Sequence, residues 1–430
     1  MVRSSGGGVR ESTPRAAVPV RIARFAARGE ASMLPASFRE QPIMAYIEGR
    51  VVHDADAHVM ETGEWFRMLL DGTVDERIDA HFRAGFRDAD SEFYAEIERL
   101  QSDPEHRAKD AEELMARKNH HAIGAFLRED RPAALDLLGV SSQLLFTSRG
   151  NVLLESLEHG DDLDLLYGTA SASNRAQVEY SRVDSRLLPV GYVPLADLER
   201  APVAAAEAIQ MGCSALLVPA ECPRRHATSH VALDKVWAQA QEAGTPVLFH
   251  VGVADRVLPK SHKVNGLPDV PDFHGGDENF RSISYMSIPS MPMQALSLMI
   301  LDGVLERFPQ LMVGVIELGA VWVPGFMRQL DAAFEAFSRH EERLQDLKLK
   351  PSEYINRQVR VTPYPTEPTG WIIEQAGEDI CMFSSDYPHV EGGRNPYGRF
   401  ERSTEGLPAE AIDKFYEGNF ASLMGSQLTV

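Results

Sequence analysis

Cysteine is scarce in this 430-residue chain: Cys213, Cys222 and Cys381 are the only three, and no two of them have metal-ligand spacing. That excludes a disulfide scaffold and a cysteine-built zinc site, and it makes a reduced, cytoplasmic protein the expectation. Positive charge is also in deficit, with 43 Lys and Arg against 63 Asp and Glu and a formal net charge of -20. Such a surface repels phosphate backbones, which argues against nucleic acid as a partner. No apolar run approaches about 18 residues, so no ordinary transmembrane helix and no membrane partner are expected. A glycine-rich phosphate turn after the first strand is missing as well, which argues against a doubly wound nucleotide fold. That strand runs instead into Asp54-Ala-Asp56-Ala-His58.

What is present suits a large buried core: 44% hydrophobic and 25% charged residues. Residues 1–43 stand apart, with seven arginines, three glutamates and Gly6-Gly7-Gly8. They lack the apolar stretch of a secretory signal and read as a disordered extension, with a transit peptide as the alternative. After Met44, short apolar or β-branched runs occur at 51–55, 143–146, 188–193, 215–218, 247–249, 313–316, 359–362 and 380–383. Helix-period segments alternate with them, including 201–211, 233–243, 293–308, 322–337 and 409–424. Eight such units most simply close into an α/β (β/α)8 TIM-like barrel spanning 44–430. The charged, helical stretch 75–130 does not fit the repeat and is expected as an inserted cap after the first strand.

Functional side chains of such barrels gather at the C-terminal ends of the strands. Here the first strand supplies Asp56 and His58, the fifth ends in His250, the sixth in Glu317 and the eighth in Asp386, with His389 just beyond. A carboxylate or imidazole closing one apolar strand is usually a satisfied structural group. Four strands ending this way on one rim are better explained together by a metal. Asp54 is expected to face the same way as Asp56 but deeper, behind the ligands.

These residues carry a resemblance. His53-Asp-Ala-Asp-Ala-His-Val-Met-Glu61, Leu248-Phe-His250-Val-Gly, Ile316-Glu-Leu-Gly-Ala-Val-Trp-Val-Pro324, Ser384-Ser-Asp-Tyr-Pro-His-Val-Glu-Gly392 and Gly418-Asn-Phe-Ala421 resemble the amidohydrolase-related family of the amidohydrolase superfamily. The resemblance implies a divalent metal held by Asp56, His58, His250 and Asp386, with Asp386 also moving protons. Two-metal hydrolases of the superfamily bridge their ions with a lysine or glutamate at the fourth strand, where this chain has Leu217-Val-Pro-Ala220. The decarboxylase branch carries a histidine at the sixth strand, where this chain has Glu317.

In place of those residues the chain has a surplus of ligand types: Glu61, Glu317, His389, and His274 in the loop after the fifth strand. One ion needs about three or four protein ligands, so the surplus could hold a second ion or could brace the first set. A mixed carboxylate–imidazole set suits iron or manganese as well as zinc. The expectation put first is a pair of irons in a monooxygenase acting on an apolar or aromatic acid or thioester, as in a small nonheme diiron branch that the chain resembles. A hydrolase using metal-activated water and a nonoxidative decarboxylase are the alternatives. Asp386 and Glu317 are the expected catalytic groups, a small molecule the expected substrate, and a homo-oligomer the expected assembly.

Overall fold

Eight short apolar runs need cover on both faces, and a closed ring of parallel strands inside a shell of helices provides it. The computed structural model describes residues 45–86, 92–252, 257–268 and 282–428. The expected N-terminal extension and His274 lie outside them. Seven strands pair in parallel and in chain order: β1 (His53–Val59), β2 (Ser142–Thr147), β3 (Leu187–Tyr192), β4 (Ala215–Leu217), β5 (Val247–His250), β6 (Val313–Ile316) and β7 (Val359–Val361).

The eighth run is not a regular strand. It makes single bridges, Val361 with Cys381 on one side and Ala57 with Tyr387 on the other. Met382 N–H donates to Val361 O at 2.8 Å and Ala55 N–H to Phe383 O at 3.0 Å, so this segment joins β7 to β1 and completes the ring. Its irregularity has a local cause: the N–H and hydroxyl of Ser385 both donate to the Asp54 carboxylate instead of entering a ladder.

Strand alternation sorts the side chains into two layers. Phe146, Leu188, Leu217, Leu248 and Ile316 fill the barrel interior, while Leu145, Leu216, Phe249 and Val315 pack outward under the helices. The helix Asn419–Met424 adds Phe420, Leu423 and Met424 to the interior cluster, and the Phe420 ring stacks on His53 at 5.1 Å. The apolar floor is thereby closed, and polar groups collect at the opposite end.

One extra residue in β1 decides which of its acids reach that end. Asp54 pairs with Gln143 and Ala57 with Leu145, so Ala55 and Asp56 together oppose Leu144. This is a β-bulge, which reverses the in–out alternation beyond it. Asp56 and His58 face the interior, whereas Asp54 sits on the outer side with Gln143. The expectation that Asp54 and Asp56 share a face is corrected by the bulge.

Two of the helices end where glycine permits a left-handed turn. Arg200–Met211 and Asp234–Ala243 stop at Gly212 and Gly244, both left-handed at φ 101° and 62°. The single helix expected at 293–308 is two, Ser290–Leu301 and Val304–Arg307, divided at Gly303. The stretch 75–130 holds the helices Glu76–Ala84, Glu92–Gln101 and Pro104–Arg107. Its later part is tied beside the barrel mouth: Met60 N–H donates to Ala125 O, Asn119 N–H to Pro388 O and the Tyr387 hydroxyl to Ile123 O. No helix among the described residues is long and apolar enough to cross a membrane.

Candidate metal centre at the barrel mouth

The end of β1 places Asp56 and His58 in the interior, each 1% exposed. His58 Nδ1 lies 3.3 Å from the Thr147 carbonyl at the end of β2, which turns Nε2 inward. At the end of β5, His250 Nδ1 lies 2.9 Å from Val251 O, with the same effect. A nitrogen facing a carbonyl must donate, so each ring is left with a basic Nε2 aimed at the centre. Those two nitrogens lie 3.2 and 3.4 Å from Asp56 Oδ1.

Glu317 reaches the same point by a backbone turn. Alternation along β6 would send it outward with Val313 and Val315, but its φ of 51° is left-handed and re-aims the side chain. The Thr362 hydroxyl accepts its N–H at 2.9 Å and the Tyr364 hydroxyl donates to its carbonyl at 2.7 Å, which holds the turn. Glu317 Oε2 lies 3.5 Å from His250 Nε2. Asp386 is left-handed too, at φ 52°, and its N–H is fastened to Asp56 O at 2.9 Å. Non-glycine residues in this region cost on the order of 1–3 kcal/mol each and persist where the surroundings hold them.

Asp386 Oδ1 lies 3.6 Å from His58 Nε2 and 3.1 Å from His389 Nδ1. The His389 ring stacks on His58 at 3.9 Å, and its Nε2 lies 2.7 Å from Ser148 Oγ. Because the Ser148 hydroxyl donates to Val59 O, it accepts from Nε2–H, and Nδ1 then carries the lone pair. A ring lone pair facing a carboxylate oxygen at 3.1 Å needs a proton or a cation between them.

The electrostatics point the same way. Burial pulls His58 down to about 4, assisted by the charge of His389. Burial alone would raise Asp56, but hydrogen bonds and charge from His250 and His58 outweigh it and hold Asp56 well below the usual carboxylate range. His250 is raised, because Asp56 overcomes the effect of burial. Asp56 Oδ2, His58 Nε2 and both Asp386 oxygens are buried without a hydrogen-bond partner. The ligand atoms of Asp56, His58, His250 and Glu317 lie within 4.8 Å of one another, as do those of His58, Asp386 and His389. Orphaned oxygens and imidazole nitrogens converging in a dry site fit a divalent cation.

Glu61 is not brought into either group. Its carboxylate accepts the N–H groups of Ser148, Arg149 and Gly150 at 2.9–3.2 Å, at the start of the helix Arg149–Glu158. Gly150 makes the approach possible, since a Cβ there would come 2.8 Å from Glu61 Oε1. Asp54 accepts from Ser385 and Gln143, and Gln143 accepts in turn from Arg131, whose guanidinium also donates to His58 O. His120 is packed at the rim with Nε2 3.3 Å from Glu61 O, and burial lowers it to about 4. Sequence reasoning missed Ser148, Thr362 and Tyr364, which hold His389 and Glu317 in place. The first two follow strand ends, so the rule that found His250 could have found them.

The family described as Amidohydrolase matches residues 54–423. No curated protein matches the sequence. Among solved structures, an amidohydrolase from Mycobacterium avium subsp. paratuberculosis K-10 superposes with a TM-score of 0.66 at 21% identity, covering 88% of this chain and 100% of that one. A 5-carboxyvanillate decarboxylase from Novosphingobium aromaticivorans, complexed with manganese and 4-hydroxy-3-methoxy-5-nitrobenzoic acid, gives 0.57 at 18%, covering 87% and 96%. A dihydroxybenzoic acid decarboxylase from Polaromonas sp. JS666, with manganese and the inhibitor 2-nitroresorcinol, gives 0.57 at 15%, covering 89% and 98%.

Proposed function

The chain belongs to the amidohydrolase family, and within it we propose a divalent-metal enzyme that removes carbon dioxide from an aromatic organic acid without oxidation. The observation that carries this reading is Asp386. It stands beside the Asp56–His58–His250–Glu317 group with both oxygens lacking a hydrogen-bond partner, and His389 lies against Oδ1. A carboxylate so placed can hold a proton for delivery, while Ser148 fixes the imidazole beside it. A cation held by Asp56, His58, His250 and Glu317 would bind substrate oxygens and supply charge where negative charge develops. As the carboxyl C–C bond breaks, carbon dioxide leaves and the electron pair stays on the ring carbon. Asp386 then supplies the proton that completes the product. The manganese-containing decarboxylases of the same fold support this choice at the level of architecture.

A second reading has its own observation. His58, Asp386 and His389 form a further ligand group sharing His58 with the first, and Glu317 adds a carboxylate. Two irons with Asp386 between them would make the dinuclear monooxygenase that the sequence put first, and that reading now ranks second.

The test is to load the purified protein with manganese or ferrous iron, count bound ions, and offer 5-carboxyvanillate and dihydroxybenzoic acids. Metal-dependent carbon dioxide release without oxygen uptake is expected. Two irons per chain with substrate-dependent oxygen uptake would replace decarboxylation by oxygenation. Cleavage of esters or amides alone would assign a hydrolase.

A further inference from the structure

The insert between β1 and β2 brings a lysine to the mouth that the metal site does not use. Lys118 precedes Asn119, whose N–H donates to Pro388 O at 2.8 Å, two residues past Asp386. The next residue, His120, lies against Glu61 O at the end of β1. Residues 118–120 are therefore held on both sides of the rim. Asn119 is itself left-handed, at φ 52°. Three of the four non-glycine residues with positive φ among those described, Asn119, Glu317 and Asp386, thus lie around one opening.

The Lys118 Nζ atom is buried and has no hydrogen-bond partner. The negative charges of Asp386 and Glu391 and the positive charge of Arg394 act on it. Burial lowers the ammonium to about 8, with the two acids opposing, so it remains largely charged at neutral pH. An ammonium has three donors and no acceptor. Leaving it dry and unpaired is costly unless an anion completes it. If it served only to neutralise Asp386 and Glu391, a direct ion pair would be the cheaper arrangement, and none is formed.

We propose that Lys118 is a specificity-determining residue that binds an anionic oxygen of the substrate, so that the site selects organic acids in their carboxylate form. This deepens the reading of the mouth as a site for a small organic acid and rests on it. The reaction that follows binding is a separate matter, so the two can fail independently.

The experiment measures equilibrium binding to the full-length, manganese-loaded protein by calorimetry, with 2,6-dihydroxybenzoate and its methyl ester as probes. A charge-assisted hydrogen bond contributes roughly 1.5–3 kcal/mol, or about ten- to a hundredfold in affinity. Lys118→Met is expected to weaken the acid by that factor and the ester by less than about threefold, with bound manganese unchanged. Lys118→Arg should retain most of the preference. Should the methionine variant misfold, Lys118→Gln keeps a polar end in the same space and is read in the same way. Equal weakening of acid and ester, an unchanged affinity for the acid, or no binding of the acid by the wild-type protein overturns the inference. Lys118-dependent binding of the acid without carbon dioxide release would leave the inference standing and remove the decarboxylase reading.

Discussion

Asp54 and Asp56 lie two residues apart on one strand, both fully buried, and the two faces of that strand give them opposite roles. Behind β1, Asp54 meets donors: the Ser385 N–H, the Ser385 hydroxyl and the Gln143 amide. Inside the barrel, Asp56 meets imidazole nitrogens at 3.2 and 3.4 Å, and its second oxygen has no partner. A saturated carboxylate holds the seam between β1 and the eighth segment, while an unsaturated one is open to a cation. Residue type and burial are the same on both sides. Only the supply of donors differs, and a single bulge residue sets that supply.

The sharpest way to break this contrast is a pair of alanine substitutions. Asp56→Ala is expected to release the ion and lower turnover by more than about a hundredfold, beyond the ten- to hundredfold typical of groups that only brace a ligand. Asp54→Ala should keep the ion, as counted by elemental analysis. Its cost falls on folding: the stranded Ser385 and Gln143 donors should lower the unfolding free energy by about 1–3 kcal/mol in a denaturant titration. If Asp54→Ala loses its ion as completely as Asp56→Ala, the two faces do not divide the work.

A smaller effect is expected at Glu61, which resembles Asp54 in having its oxygens occupied. Glu61→Ala removes the acceptor for three N–H groups at the start of the helix Arg149–Glu158. Stability should fall by about 0.5–2 kcal/mol, the range for loss of a helix N-terminal acceptor. Bound metal should not change. A drop in the ion count would return Glu61 to the ligand set that its sequence position suggests.

Much of the site was legible because barrel strands announce themselves and their ends are where chemistry collects. His250 closes an apolar run and is found there, 3% exposed, with Nε2 facing inward. Asp56 and His58 were legible as a pair because spacing by two survives beyond the bulge. Glu317 was legible only by its position. Alternation would have turned it outward, and the Thr362 and Tyr364 contacts that hold its left-handed turn come from the segment after β7. Glu61 follows His58 by three residues, but what its oxygens meet was not legible there: the start of the helix after β2 offers them three N–H groups. The eighth run was legible as a strand, but not its irregularity: Ser385 diverts its donors to Asp54.

The sequence by itself determined the alternation of buried strands and amphipathic helices, hence the barrel, and the residue types at the strand ends, hence a candidate site for a cation. Both follow from local periodicity, which a chain carries wherever it folds. Only the tertiary structure decided which carboxylates are left short of donors, and which residue of the insert comes within electrostatic reach of Asp386. Donor supply and proximity across more than two hundred residues are properties of packing. No local pattern encodes them, and they separate Asp56 and Asp386, whose oxygens lack partners, from Asp54 and Glu61, whose oxygens are occupied.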